Sequence, residues 1–278
     1  MNPVLGIAGY VLREAMSRKF ILAFVVGITL VLSVVALSLR LDVVDGALAA
    51  SRLFGEDIRA SIRSVDVALR PVYTAAAFIV FYGGILFGIV ACSDFAPSLM
   101  SPGRIEHLLA LPIQRWHLLA GTFLGVMALA LGGTLYGTTG LVLIFGVKAG
   151  YWTAGPLIAG LMACVGFAAV YAVMLTTATL VRSAALSAAA GILVLVGGVI
   201  AGYRTQISSA FEDGISRSVF EAVTLALPRL SSLAQAAGDI AASTPLQVHS
   251  LGTLLTGVMV FGFGALAVGF WRFEGKDY

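Results

Sequence analysis

Residues 94–117 read DFAPSLMSPGRIEHLLALPIQRWH and form a polar stretch between two long apolar runs near the middle of the chain. Residues 71–93 before it and residues 118–147 after it carry no charged side chain. Each run is longer than the roughly 20 residues that cross a bilayer as a helix. The polar stretch is therefore predicted to lie at a membrane surface, where it connects two spans.

The connection itself has the sequence of a short surface helix with defined ends. Ser101 can act as the N-cap, and Pro102 can occupy the first helical position, where a missing N–H removes no helical hydrogen bond. Pro112 ends or kinks the helix. The helix carries three leucines, Leu108, Leu109 and Leu111. So many leucines on a short surface helix either lie in the lipid interface or dock into another protein.

The composition of the whole chain indicates a polytopic membrane protein. Hydrophobic residues make up 59% of the sequence and charged residues only 11%, whereas soluble domains carry about 25% charged residues. The spans and their connections occupy nearly all 278 residues, so we predict a single membrane domain over residues 1–278. The net charge of +3 is small and scattered, which argues against binding of nucleic acid.

The apolar residues fall into six runs without charge, and each exceeds the 18 residues that indicate a span. The runs are 20–39, 71–93, 118–147, 149–181, 183–203 and 250–271. Helices of this kind satisfy every backbone hydrogen bond inside the membrane, so the predicted fold class is all-α with six transmembrane helices. Small residues four positions apart, such as Gly121 with Gly125 and Gly133 with Gly137, predict close packing of these helices.

The distribution of Lys and Arg predicts that both termini lie in the cytoplasm, because positive residues concentrate in the short cytoplasmic connections. In this orientation the only short connection on the outer side holds Lys148 alone. The cytoplasmic side would hold Arg13, Arg18, Lys19, Arg104, Arg115, Arg182, Arg272 and Lys276.

Helices are also predicted outside the spans. Residues 1–19 have an apolar face of Val4, Leu5, Ala8, Val11, Leu12, Ala15 and Met16, which is typical of a helix lying in the membrane interface. The two long outer loops carry helical stripes of Ile58, Ile62, Val65 and Leu69, of Phe211, Ile215 and Val219, and of Leu230, Leu233, Ala234, Ala237 and Ile240. Asp213 and Glu221 can each pair with Arg217. These outer helices are expected to lie along the membrane, either packing on one another as a cap or binding a substrate or partner.

Motifs for catalysis and cofactor binding are absent from the sequence. It contains no GxxxxGK[ST] phosphate loop and no HExxH, CxxC or GxSxG motif. Cys92 and Cys164 lie in apolar runs, and His107, His117 and His249 are interpreted as surface residues. We therefore expect no catalytic residue, no metal and no cofactor in the chain itself. No charge lies at mid-membrane depth, which argues against ion-coupled transport.

Residues 103–115, GRIEHLLALPIQR, resemble the cytoplasmic segment between the second and third spans of ABC-2 type permeases, the membrane subunits of one class of ATP-binding-cassette transporters. The family pattern has a Gly, a Glu three residues later, paired leucines, and then Pro and Arg before the third span. Residues 115–121 continue the match, although Thr122 stands where a Lys is common and residues 98–102 lack the usual acidic residue. Span number and order extend the resemblance over the whole chain, which is most similar to the branch that includes the permease of nitrous-oxide-reductase maturation.

This resemblance implies a permease subunit in the bacterial cytoplasmic membrane, paired with a second permease copy and with separate ATPase subunits that bind the ATP. It implies an ATPase-contact surface of Ser101, Pro102, Gly103, Arg104, Glu106, His107, Leu108, Leu109, Leu111 and Arg115. The uncharged spans favour a hydrophobic, lipid-like or peptide cargo. The alternatives are a membrane enzyme acting on lipids, for which no catalytic cluster stands out, and an assembly factor that moves nothing.

Overall fold

The computed structural model describes residues 2–17, 20–44, 47–53, 56–57, 65–101, 103, 114–150, 152–211, 214–242 and 248–275. Within them, five helices are long and apolar enough to cross a membrane, which agrees with a multi-pass membrane protein. They are Arg70–Leu99, Arg115–Lys148, Gly155–Val181, Ala184–Gly202 and Leu251–Glu274. The first predicted span also forms a helix, but its apolar stretch Phe24–Leu37 is shorter than those five. The first of the six predicted spans therefore stays a prediction.

The described helices are α1 (Pro3–Ser17), α2 (Phe20–Ser38), α3 (Val65–Phe78), α4 (Gly84–Cys92), α5 (Phe95–Leu99), α6 (Arg115–Ala149), α7 (Gly155–Val181), α8 (Ala184–Gly202), α9 (Arg204–Ser208), α10 (Ile215–Ala226), α11 (Leu230–Ala241) and α12 (Val248–Glu274). A π-helical turn, Ile79–Gly83, joins α3 to α4 without interrupting the second span. Gly150 ends α6 with a left-handed backbone, φ 66°, as glycine after a helix commonly does.

A small antiparallel sheet follows α2 and is absent from the all-α prediction. Its strands are β1 (Leu39–Val44), β2 (Ala47–Leu53) and β3 (Glu56–Asp57), in that order. Residues 39–43 read LRLDV, and this alternation of apolar and charged residues is the period-two pattern of a strand. Of the helical stripe predicted in the same loop, Val65 and Leu69 belong to α3, whereas Ile58 and Ile62 lie outside the described residues.

Helix α7 forms the centre of the bundle. Within its most apolar 18 residues 67% are buried, compared with 11% for α12. It packs against α4, α6, α8, α11 and α12. Small residues bring these helices close, since a Cβ at Gly262 of α12 would lie 3.3 Å from the Cα of Ala169. The hydrophobic core therefore surrounds α7, and the surrounding helices turn large apolar side chains outward.

The N-terminal helix α1 packs on the first turns of α6, where Gly121 and Gly125 leave room for it. A Cβ at Gly121 would lie 2.6 Å from the Cβ of Ile7, and one at Gly125 would lie 2.8 Å from the Cβ of Val11. The small-residue spacing thus serves packing within the chain. Leu5 and Met16 of the predicted apolar face are exposed, whereas Ile7, which was not among its predicted members, is buried. The buried face turns toward α6, and its members are Val4, Ile7, Ala8, Val11 and Ala15.

The later turns of α6 pack against α2. Gly133 faces Phe24, and Gly140 faces Leu32. The hydroxyl groups of Thr29 and Tyr136 form a hydrogen bond of 2.8 Å between the two helices. Helix α6 has 35 residues and, at about 1.5 Å per residue, is about 50 Å long. It therefore exceeds the roughly 30 Å hydrocarbon core and carries both α1 and α2 along its length.

One of the helices predicted on the outer side, α11, is buried in the bundle. Helix α11, which its sequence pattern predicts along the membrane surface, instead packs against α3, α7 and α8. Leu230, Leu233, Ala234 and Ala237 are fully buried, as the predicted stripe indicated. A Cβ at Gly155 would lie 2.8 Å from the Cα of Ala241, so α7 and α11 touch through their backbones. Small side chains on both helices explain why α11 enters the bundle.

Candidate functional site

The predicted ATPase-contact surface lies partly within the described residues. The structure places Ser101, Gly103 and Arg115. The others lie outside the described residues, and they are Pro102, Arg104, Glu106, His107, Leu108, Leu109 and Leu111. The geometry of the site is therefore given by the two chain segments that enter and leave it, and by the helix ends around them.

The chain enters the site from helix α5, which is anchored in the core. Phe95, Leu99 and Met100 are each at most 3% exposed. The Ser101 hydroxyl donates a 2.8 Å hydrogen bond to the carbonyl oxygen of Ser98. Ser101 therefore closes the end of α5. Since α5 is buried and contacts α6 and α7, a displacement of the site reaches the helix bundle directly.

The predicted start of the surface helix at Pro102 is wrong. Gly103 has φ 81°, in the left-handed region, whereas the second residue of a helix needs a negative φ. The sequence Ser101-Pro-Gly-Arg104 is that of a type II turn, in which proline precedes a glycine with φ near 80°. Gly103 is therefore not part of a helix that starts at Pro102. The Pro–Gly pair was the signal in the sequence that could have indicated the turn.

The chain leaves the site through the capped start of α6. Gln114 has an extended backbone, and its N–H donates to Nδ1 of His117 at 3.0 Å, while the backbone N–H of His117 donates to the carbonyl oxygen of Gln114 at 3.0 Å. The indole N–H of Trp116 also donates to the side-chain oxygen of Gln114. His117, interpreted from the sequence as a plain surface residue, thus fixes the direction in which α6 begins.

Several helix ends meet at this end of the bundle. Arg115 donates a 3.2 Å hydrogen bond from its guanidinium to the carbonyl oxygen of Glu274, which ties α6 to the end of α12. Helices α6 and α7 run antiparallel, with Phe123 stacked on Tyr171 and Thr134 near Cys164. The turn from α7 to α8 at Arg182 therefore lies at the same end. The structure therefore places at the same end of the bundle three basic residues that were predicted to share one membrane face, namely Arg115, Arg182 and Arg272.

Polar groups inside the described spans are mostly satisfied by backbone oxygens. Thr122 donates to Leu118 at 2.7 Å, Thr176 donates to Ala265 of α12 at 2.8 Å, and Ser187 donates to Met174 of α7 at 2.8 Å. The buried Tyr171 hydroxyl has no hydrogen-bond partner in the described part of the chain. Among the described residues no group of three or more His, Cys, Asp or Glu side chains could hold a metal ion.

The sequence matches no known protein-family model. It also matches no curated protein. The resemblance to ABC-2 type permeases therefore rests on the pattern of residues 103–121 and on the order of the spans.

A second polar cluster lies at the opposite end of the bundle, past the end of α8. The predicted i,i+4 pair is confirmed there, since Nε of Arg217 lies 3.1 Å from Oε1 of Glu221. Its alternative partner, Asp213, lies outside the described residues. Arg204 lines the same cavity as this pair. The cluster could not be predicted, because nothing in the sequence indicates that the short helix α9 faces α10.

Proposed function

We propose that this chain is the membrane-spanning permease subunit of an ABC-2 type ATP-binding-cassette transporter in the bacterial cytoplasmic membrane. Two copies work with two separate ATPase subunits, which bind and hydrolyse ATP. The six spans are α2, the segment from α3 to α5, and helices α6, α7, α8 and α12. Both termini and the connection between α5 and α6 face the cytoplasm.

The observation that carries this proposal is which helices residues 101–114 connect. They join α5, which is buried in the core, to α6, which carries α1 and α2 and is tied to α12 through Arg115 and Glu274. An ATPase that moves this segment therefore moves five helices. A motion of this kind requires contacts whose free energy differs between the two states, and the segment is where such contacts form in the proposed complex.

The nature of the described spans supports an apolar cargo. Their buried hydroxyl groups mostly donate hydrogen bonds to backbone oxygens, and the six predicted runs contain no charged residue. A path through such a bundle offers few fixed groups to a charged solute, because desolvating a charge without a partner is costly. We therefore propose a hydrophobic, lipid-like or peptide cargo.

The first test concerns the source of energy. The purified chain should not hydrolyse ATP, because its sequence contains no phosphate loop. Co-expression with an ATPase encoded next to it should yield a complex that hydrolyses ATP, and a catalytically inactive ATPase variant serves as the control. ATP hydrolysis by the chain alone, at levels that survive removal of contaminants, would contradict the proposal.

The second test concerns orientation. Gln114 and Ser218 are exposed and lie at opposite ends of the bundle. In a background that carries Cys92→Ala and Cys164→Ala, we expect a membrane-impermeant thiol reagent to label Ser218→Cys in intact cells. Gln114→Cys should be labelled only after the cells are opened. The reverse pattern would place the proposed ATPase-contact surface outside the cell and exclude the proposed function.

A further inference from the structure

A cavity of about 560 Å³ lies between α9 and α10. It is lined by Arg204, Thr205, Ser208, Arg217, Glu221 and Leu225. Arg204 is half-buried, and Ser208 is only 6% exposed. Two arginines and one glutamate give this lining a net formal charge of +1. The cavity therefore favours an anionic ligand that can also accept hydrogen bonds.

The two arginines of the cavity have different surroundings. Arg217 pairs with Glu221 at 3.1 Å, so the charge of that pair is balanced. Arg204 makes no ion pair or side-chain hydrogen bond with any other residue that the structure describes. A half-buried guanidinium is stabilised when an anion accepts its hydrogen bonds, and planar arginine suits phosphate oxygens in particular. Arg204 is therefore the residue on which an anion would depend most.

The position of the cavity indicates which anion can reach it. Arg204 follows Gly202, the last residue of α8, by two positions, and α8 is one of the five helices long and apolar enough to cross a membrane. The cavity thus lies at the bilayer surface, where the phosphate groups of lipids lie. Helix α10 turns Ile215, Val219 and Val223 outward as an exposed apolar stripe, which is typical of a helix lying in the lipid interface.

We propose that this cavity binds the headgroup of an anionic phospholipid. The phosphate contacts Arg204 and the hydroxyl group of Thr205, whereas Arg217 stays balanced by Glu221 across the cavity. Leu225, which is 69% exposed and lines the cavity, gives the apolar part of the lipid a surface that a free phosphate ion would not use. The inference rests on the membrane placement of α8, and it does not depend on transport activity or on an ATPase.

The test measures lipid retention by native mass spectrometry on the purified full chain. Phosphatidylglycerol and phosphatidylcholine with identical acyl chains are added in turn, so that only the headgroup differs. The wild type should retain phosphatidylglycerol preferentially. Arg204→Gln should weaken that retention at least about tenfold, as expected for loss of a charge-assisted hydrogen bond. The matched control is Arg229→Gln, which removes the same charge from an exposed position that does not line the cavity, and it should stay within about twofold.

Three results would overturn the proposal. Equal losses for Arg204→Gln and Arg229→Gln would indicate nonspecific attraction to a basic surface. Displacement of the phospholipid by an equal concentration of glycerol phosphate would indicate a site for a soluble anion. Equal retention of the two lipids by the wild type would exclude headgroup recognition, and this measurement decides the question even when the Arg204 variant fails to fold.

Discussion

Leu108→Asp or Leu109→Asp should release the proposed ATPase subunits from the membrane, with retention reduced at least about tenfold. The two leucines are adjacent in sequence, so on a helix they point about 100° apart. A flat lipid surface covers two side chains at this angle less completely than a groove in a partner protein does. Burial of each leucine contributes roughly 1.5–3 kcal/mol, and a carboxylate forced into an apolar groove adds a further cost. ATPase co-purification measures the effect.

The matched control for these variants is Gln114→Asp, which adds the same charge to the same connection. Gln114 is exposed and caps α6, and aspartate is itself a favourable N-cap, so ATPase retention should be unchanged. Glu106→Ala should also have a smaller effect, because a charge at the rim of an interface contributes little. If both leucine variants keep the ATPase at wild-type levels, the segment faces lipid and the proposed function loses its main support.

Gly121→Ala and Gly125→Ala should each loosen α1 from α6 and lower the melting temperature of the purified chain. The new Cβ at Gly121 would meet Ile7 Cβ at 2.6 Å and the backbone oxygen of Val4 at 2.8 Å, and neither atom belongs to the free end of a flexible side chain. Overpacking of this kind costs about 1–3 kcal/mol per site. Intrinsic tryptophan fluorescence during heating provides the measurement.

The same helix supplies the control for this experiment. Gly132 also lies in α6, but a Cβ there would meet no atom within 4 Å. Gly132→Ala should therefore leave the melting temperature unchanged or raise it, since alanine favours a helix over glycine by up to about 1 kcal/mol. If all three variants have the same melting temperature, the packing of α1 on α6 contributes nothing to stability.

The five long apolar helices could be predicted from the sequence because an uncharged run of about 20 or more residues has one main structural solution. The pairing of their faces could not. A helix that is apolar on every side carries no periodic signal to indicate which side is buried. The spacing of Gly121 and Gly125 indicated a close approach, but it did not indicate that α1 is the partner. The stripe on α11 indicated which of its sides is buried, but it did not indicate that the helix bundle, rather than the membrane surface, covers that side.

Around the two polar sites, local sequence rules predicted a contact within one helix but not the contacts between helices. The sequence correctly marked the pair of Arg217 and Glu221, because an i,i+4 spacing on one helix fixes the distance. The same local rules predicted the start of the surface helix at Pro102, since proline is common at the first helical position. They missed that Gly103 could reverse the chain. The cavity at Arg204 depends on a contact between two short helices, and no rule of local sequence specifies that contact.

The length of α6 determines how far its ends move when the helix rotates by a small angle. A rod about 50 Å long that pivots at its midpoint by about 10° displaces each of its ends by about 4 Å, in opposite directions. Arg115 stands at one end and Lys148 near the other. A lever of this kind converts a modest push on one face of the membrane into an atomic-scale displacement on the opposite face, without any change in the helix itself.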